Sequence, residues 1–250
     1  DSQLLPVMSR IHWGGNTSGL KDLYDFSKMV KRHDVILVTI NYRLGAFGWF
    51  THPAIQSDQN AIDKTSNFGT LDIIQALKWV KNNIESFGGD SKNITIFGES
   101  AGGHNILSLL VASQAKGLFH KAISQSGYTT SVSKDHAYIT DDDSPIYKHT
   151  SNEVVKRLVP NSDKISLSEL KEKLYSLSSK EFFSEYSDSS NLEMPLLTND
   201  GIVIPELGLE NALKFNKHTK NIPLIAGSNR DEVKLWLAAA EYFVELDYSL

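Results

Sequence analysis

The sequence predicts an α/β fold in which a mostly parallel central sheet is flanked by helices. Three observations carry that expectation. Short β-branched or aliphatic runs alternate with longer amphipathic stretches, as in strands joined by crossover helices. One run, Val35-Ile36-Leu37-Val38-Thr39-Ile40, is apolar on both faces, as for a central strand covered on both sides. Before the next run, Leu71, Ile74, Leu77, Trp79, Val80 and Ile84 recur near helical spacing and stop at Phe87-Gly88-Gly89, which marks a crossover helix and its end.

Taken in order, five strands are expected, at Pro6 to His12, Val35 to Tyr42, Asn93 to Gly98, Lys121 to Ser126 and Ile222 to Gly227. From Tyr128 to Thr198 the composition shifts to Ser, Asp, Lys and Glu, and strand-like runs disappear. There Ser166-Leu167-Ser168-Glu169 fits a capping box that opens a helix through Leu170, Leu174 and Leu177. Residues 129–198 therefore read as a helical excursion over the sheet within one domain spanning 1–250. Asp141-Asp142-Asp143 reads as a solvated loop.

With 250 residues and 40% hydrophobic content the chain can bury a large core. A net charge of −5, with Lys and Arg spread along the chain, leaves no basic surface for nucleic acid. Cysteine is absent, which excludes disulfides, thiolate chemistry and cysteine-ligated zinc within these residues. No apolar run is long enough to span a bilayer, and any targeting segment would precede Asp1.

The residues that carry chemistry begin with Gly98-Glu99-Ser100-Ala101-Gly102, set between the strand-like Ile94-Thr95-Ile96-Phe97 and the helical Ile106-Leu107-Ser108-Leu109-Leu110. Small residues on both sides permit a sharp strand-to-helix turn that lifts the Ser100 hydroxyl out of the sheet. The helix behind it aims its N-terminal N–H groups at the reacting centre. Ser100 is the candidate nucleophile. Acyl transfer also needs backbone donors for the oxyanion of its tetrahedral intermediate. His12-Trp13-Gly14-Gly15 follows the first strand, and the amides of Gly14, Gly15 and Ala101 are the candidate donors.

A set of longer motifs joins these two. It comprises Asn41-Tyr42-Arg43-Leu44-Gly45, Asn67-Phe68-Gly69-Thr70-Leu71-Asp72, Ala76 to Ile84, Phe87-Gly88-Gly89-Asp90 and Phe97 to Gly103. Ser124-Gln125-Ser126-Gly127, Asp200-Gly201 and Gly227-Ser228-Asn229-Arg230-Asp231-Glu232 extend it. In these motifs the chain resembles the type-B carboxylesterase family, which includes the cholinesterases. The likeness covers nearly the whole chain and is weakest from Thr129 to Glu193. It implies an α/β-hydrolase fold and a triad in the order serine, acid, histidine. The family's acid falls on Glu232, which on the residues alone could equally cap or solvate a helix start.

None of the eight histidines (12, 33, 52, 104, 120, 136, 149 and 218) follows Glu232. The resemblance places the histidine beyond residue 250 and further strands before the first one here, so the domain is expected to be truncated at both ends and feeble alone. His104, one helical turn past Ser100, would have to meet both Ser100 and Glu232 to substitute. His12 belongs to the oxyanion loop and is expected to position it. The resemblance also marks three departures. Trp13 stands in place of a glycine, Asn16 in place of an aromatic, and Arg10 in place of an aromatic or apolar residue. Trp13 is expected to narrow the pocket or reshape the loop.

The expected function is serine carboxyl-ester hydrolysis through an acyl-enzyme on a small-molecule ester, needing no metal or organic cofactor. The alternatives are a catalytically silent adhesion or scaffold member of the same superfamily, against which the retained Ser100 argues, and a lipase or amidase on the same fold.

Overall fold

The computed structural model describes residues 3–57, 60–138, 150–186, 194–232 and 234. Its elements follow in the order β1 (Leu5–Ile11), α1 (Ser27–Arg32), β2 (Ile36–Thr39), α2 (Gly45–Trp49), α3 (Pro53–Gln56), α4 (Phe68–Asn83), β3 (Gly89–Glu99), α5 (Ala101–Val111) and β4 (Lys121–Gln125). Then come β5 (Val132–Ser133), α6 (Lys134–Tyr138), α7 (Ser151–Leu158), α8 (Leu167–Ser176), α9 (Ser179–Ser184), β6 (Thr198–Asn199), α10 (Leu209–Leu213) and β7 (Leu224–Gly227).

Five strands form one sheet in the order β2-β1-β3-β4-β7, and every pairing is parallel. All five expected strands are present, with shifted ends. The doubly apolar run became β2, which lies at an edge of the described sheet with its side chains half-buried. An apolar run on both faces reports cover above and below the sheet and says nothing of neighbours at its sides. In α4 the buried stripe is Ile73, Ile74, Leu77 and Val80, continued by Ile84. Trp79 lies off it, 50% exposed, with its ring 5.9 Å from that of Phe87.

The excursion is not wholly helical. Val132 pairs with Thr198 and Ser133 with Asn199 in a short parallel ladder. Ser166 caps α8 by accepting from the Glu169 amide, as expected, while the complete reciprocal box forms one helix later between Ser178 and Glu181. The acidic run 141–143 lies outside the described residues.

Two polar clamps fix the loops under the sheet's C-terminal edge. Arg43 grips Asp72 through its backbone amide, Nε and Nη2 at 2.8 to 2.9 Å, and its guanidinium lies 5.2 Å from the Phe68 ring. Asp200, 2% exposed, accepts on Oδ1 from the amides of Ile202, Val203 and Ile204, and on Oδ2 from Thr65 and Asn67.

Candidate active site

Ser100 sits between β3 and α5 at φ 54° and ψ −119°, a left-handed conformation that costs a non-glycine residue about 1–3 kcal/mol. Neighbouring bonds hold it there: its amide donates to the Gln125 carbonyl at 2.9 Å, and its own carbonyl accepts from the His104 amide at 2.9 Å. The flanking glycines are required by contact. A methyl group on Gly98 would meet the backbone of Gly102 at 2.6 Å, one on Gly103 the Gln125 carbonyl oxygen at 2.8 Å, and one on Gly102 would run into the Ile11 carbonyl. These approaches stack β1, β3, α5 and the end of β4 tightly around one serine. Every residue of α5 is buried, so the helix behind the turn is a core element.

The loop after β1 faces this turn. Gly14 and Gly15 take φ 118° and 64°, which side-chain-bearing residues rarely adopt. The Gly14 carbonyl is turned back into the loop, accepting from the amides of Thr17 and Ser18 at 3.0 and 2.9 Å. Among the described residues the amides of Gly14, Gly15 and Ala101 make no hydrogen bond. Gly15 is exposed and Gly14 and Ser100 are half-exposed, so solvent reaches the turn. Trp13 keeps its φ outside the left-handed region, and its indole is 37% exposed beside an intact pair of glycine turns.

Glu232 lies in the turn after β7. Its Oε2 accepts from the Ser126 hydroxyl at 2.7 Å, the Asn229 amide at 2.9 Å and Asn229 Nδ2 at 3.1 Å. Led by the Ser126 bond, these donors hold its carboxyl below the usual range. Glu232 thus caps its local turn and is also tied to the end of β4. Ser126 sits at φ 50°, with its amide donating to the Gly227 carbonyl at 2.7 Å. Ser100, Ser126 and Glu232 therefore stand at the C-terminal ends of three adjacent strands, β3, β4 and β7. Glu99 faces the same region: burial and then the charge of Glu232 push its carboxyl up, opposed by Arg10.

Arg10, placed where an apolar side chain is expected, is 5% exposed. Its guanidinium lies 4.6 Å from the Tyr24 ring and 5.5 Å from Phe26, so aromatic faces cover the charge. Burial lowers its pKa from the ordinary guanidinium value.

No described histidine bridges Ser100 and Glu232. His104 is enclosed, 2% exposed, with Nε2 at 2.9 Å from the Thr130 carbonyl and Nδ1 at 3.3 Å from the Asn16 amide. Burial pushes it down to about 4. His12 directs Nδ1 to the Trp13 carbonyl at 2.9 Å and stacks on Tyr42 at 4.4 Å, within the loop after β1. His52 caps α3, and His120 accepts the Ile94 amide at the opposite, N-terminal end of β4. His149 lies outside the described residues.

Ser126, Asn16 and Tyr42 are the residues the sequence motifs did not mark for this site. Ser126 and Tyr42 each fall within a quoted motif, while Asn16 was visible only as a departure.

A parallel sheet with a strained serine at the strand-to-helix turn and a glycine loop beside it defines the α/β-hydrolase class. Residues 1–245 match the sequence profile of the Carboxylesterase family, and the chain belongs to that family. It is 49% identical over 141 residues to the para-nitrobenzyl esterase of Bacillus subtilis (strain 168), covering 56% of this chain and 28% of that protein. It is 36% identical over 241 residues to carboxylesterase 1D of Mus musculus, covering 91% of this chain and 39% of that protein. Among solved structures, a PNB esterase superposes with a TM-score of 0.75 at 34% identity, over 94% of this chain and 47% of that one. The Geobacillus stearothermophilus carboxylesterase EST55 at pH 6.8 gives 0.78 at 30% identity, over 99% of this chain and 50% of that one. The chain thus spans half or less of the length of these relatives.

Proposed function

We propose that the protein hydrolyses small-molecule carboxyl esters through an acyl-enzyme on Ser100. The observation that carries this reading is the serine at φ 54° beside the amides of Gly14, Gly15 and Ala101, which are unpaired among the described residues. Ser100 Oγ attacks the ester carbonyl while its proton passes to a base, and the carbonyl electron pair moves onto oxygen, where the three amides receive it. Collapse expels the alcohol, which takes the proton. Water then repeats the sequence on the acyl-serine and releases the acid. Glu232 holds and charge-stabilises the imidazolium of the base. We take that base to be a histidine, and neither His104, held by Thr130 and Asn16, nor His12, turned to the Trp13 carbonyl, is offered for the role. No step calls for a metal or an organic cofactor.

The test is intact mass of the full-length protein after incubation with a reactive fluorophosphonate. Rapid addition of one phosphonyl group, absent in Ser100→Ala, is the expected result. A folded, unlabelled protein would sink the proposal.

A further inference from the structure

Asn16 is 8% exposed and follows directly after Gly15, at φ 62°, a conformation asparagine tolerates better than most residues. Its side chain reaches across to α5. Because a carbonyl can only accept, the Thr130 oxygen requires the proton on His104 Nε2, which leaves Nδ1 bare. Asn16 Nδ2 then donates to that Nδ1 at 3.3 Å. Its Oδ1 accepts from Asn105 Nδ2 at 2.8 Å and from the Tyr42 hydroxyl at 3.4 Å. The same hydroxyl lies 2.9 Å from the His12 carbonyl, and the Asn16 carbonyl accepts from the Gly45 amide at 2.7 Å. The Tyr128 ring closes the far side of His104 at 4.2 Å. Asn105 and His104 are as enclosed as Asn16, at 0% and 2% exposed.

Two of the proposed oxyanion donors, Gly14 and Gly15, come from the loop, whereas Ala101 and Ser100 come from the head of α5. The two halves must keep a common register, because a donor displaced by about 1 Å loses much of its effect. We infer that Asn16, through its bonds to His104 and Asn105, is a positioning residue that locks the oxyanion loop to the nucleophile helix. His104 in this arrangement is a neutral acceptor in the lock and takes no part in proton transfer. The inference rests on the ester-hydrolase reading of the same site.

The test uses the full-length protein. Asn16→Gly keeps the positive φ and deletes only the side chain. It is expected to lower kcat on a p-nitrophenyl ester by roughly tenfold or more, with KM changed less than about twofold. Affinity for a trifluoromethyl ketone, which forms an oxyanion on the serine, should fall by the same factor. Asn105→Ala, whose loop backbone is untouched, serves where Asn16→Gly does not fold and should lose about threefold in kcat by the same measures. His104→Gln combined with Asn16→Gly should lose no more kcat than the worse of the two alone. Unchanged kcat and ketone affinity in folded Asn16→Gly or Asn105→Ala would overturn the inference, as would additive losses in the double variant. If fluorophosphonate fails to label the unsubstituted protein at Ser100, the ester-hydrolase reading falls instead.

Discussion

Ser126 keeps a left-handed backbone at φ 50° while its hydroxyl reaches Glu232 at 2.7 Å. A glycine there would remove the strain together with the bond. Ser126→Gly should therefore keep stability within about 1 kcal/mol of the parent while lowering kcat roughly tenfold. Losing that bond lets the Glu232 carboxyl rise back toward its ordinary range and frees it from the end of β4. Glu232→Gln removes the charge and leaves the shape, and on the proposed mechanism kcat should fall about a thousandfold with little change in the melting temperature. Steady-state kinetics across pH separate the two variants. An unchanged kcat in folded Ser126→Gly would show that the hydroxyl does not position this carboxylate.

Among the elements, the Asp200 turn joins parts of the chain that lie far apart in sequence. One carboxylate receives three consecutive backbone amides and also Thr65 and Asn67, 135 and 133 positions away in sequence. Asp200→Asn turns an amide N–H toward groups that are themselves donors, and should cost about 2–3 kcal/mol. In urea this would appear as a lower midpoint at unchanged slope. What the sequence disclosed follows the same division between near and far. The strand-to-helix turn was legible because the small residues it demands, Gly98, Gly102 and Gly103, are near neighbours in sequence, even though Ile11 and Gln125 are what crowd two of them. The tie from Asn16 to His104 spans 88 positions, and no local pattern announces it. The pairing of β5 with β6 was hidden because two-residue strands have no period to read. Ser178 and Glu181 carried the full capping box, yet the segment after Ser178 lacks the leucine spacing that follows Ser166. The edge position of β2 was illegible for another reason, since burial of faces and pairing of sides are independent facts.

For the whole molecule, acidity is the condition to which the structure is most exposed. Burial pushes both His52 and His104 down to about 4, well under the unfolded value of 6.5. Between those values the unfolded chain binds protons that the folded chain refuses, so stability falls as pH drops from 6.5 toward 4. Each histidine should remove about 2 kcal/mol by pH 4.5. Urea midpoints at pH 7 and pH 4.5 measure this loss together with that from His12 and His120, which burial also lowers. His52→Asn keeps an acceptor for the Ala54 amide at the head of α3 and removes one of four histidine titrations that burial lowers, so it should flatten the dependence in part. An unchanged slope in that variant would place the acid sensitivity elsewhere. The complete burial of α5 sets a clock as well. Its amide hydrogens have no local route to solvent, and should exchange with deuterium only when the whole domain opens. Ser100 begins that helix. Heating should therefore extinguish fluorophosphonate reactivity and release the α5 deuterons with one common rate constant, with no earlier stage in which the turn relaxes inside an otherwise intact fold.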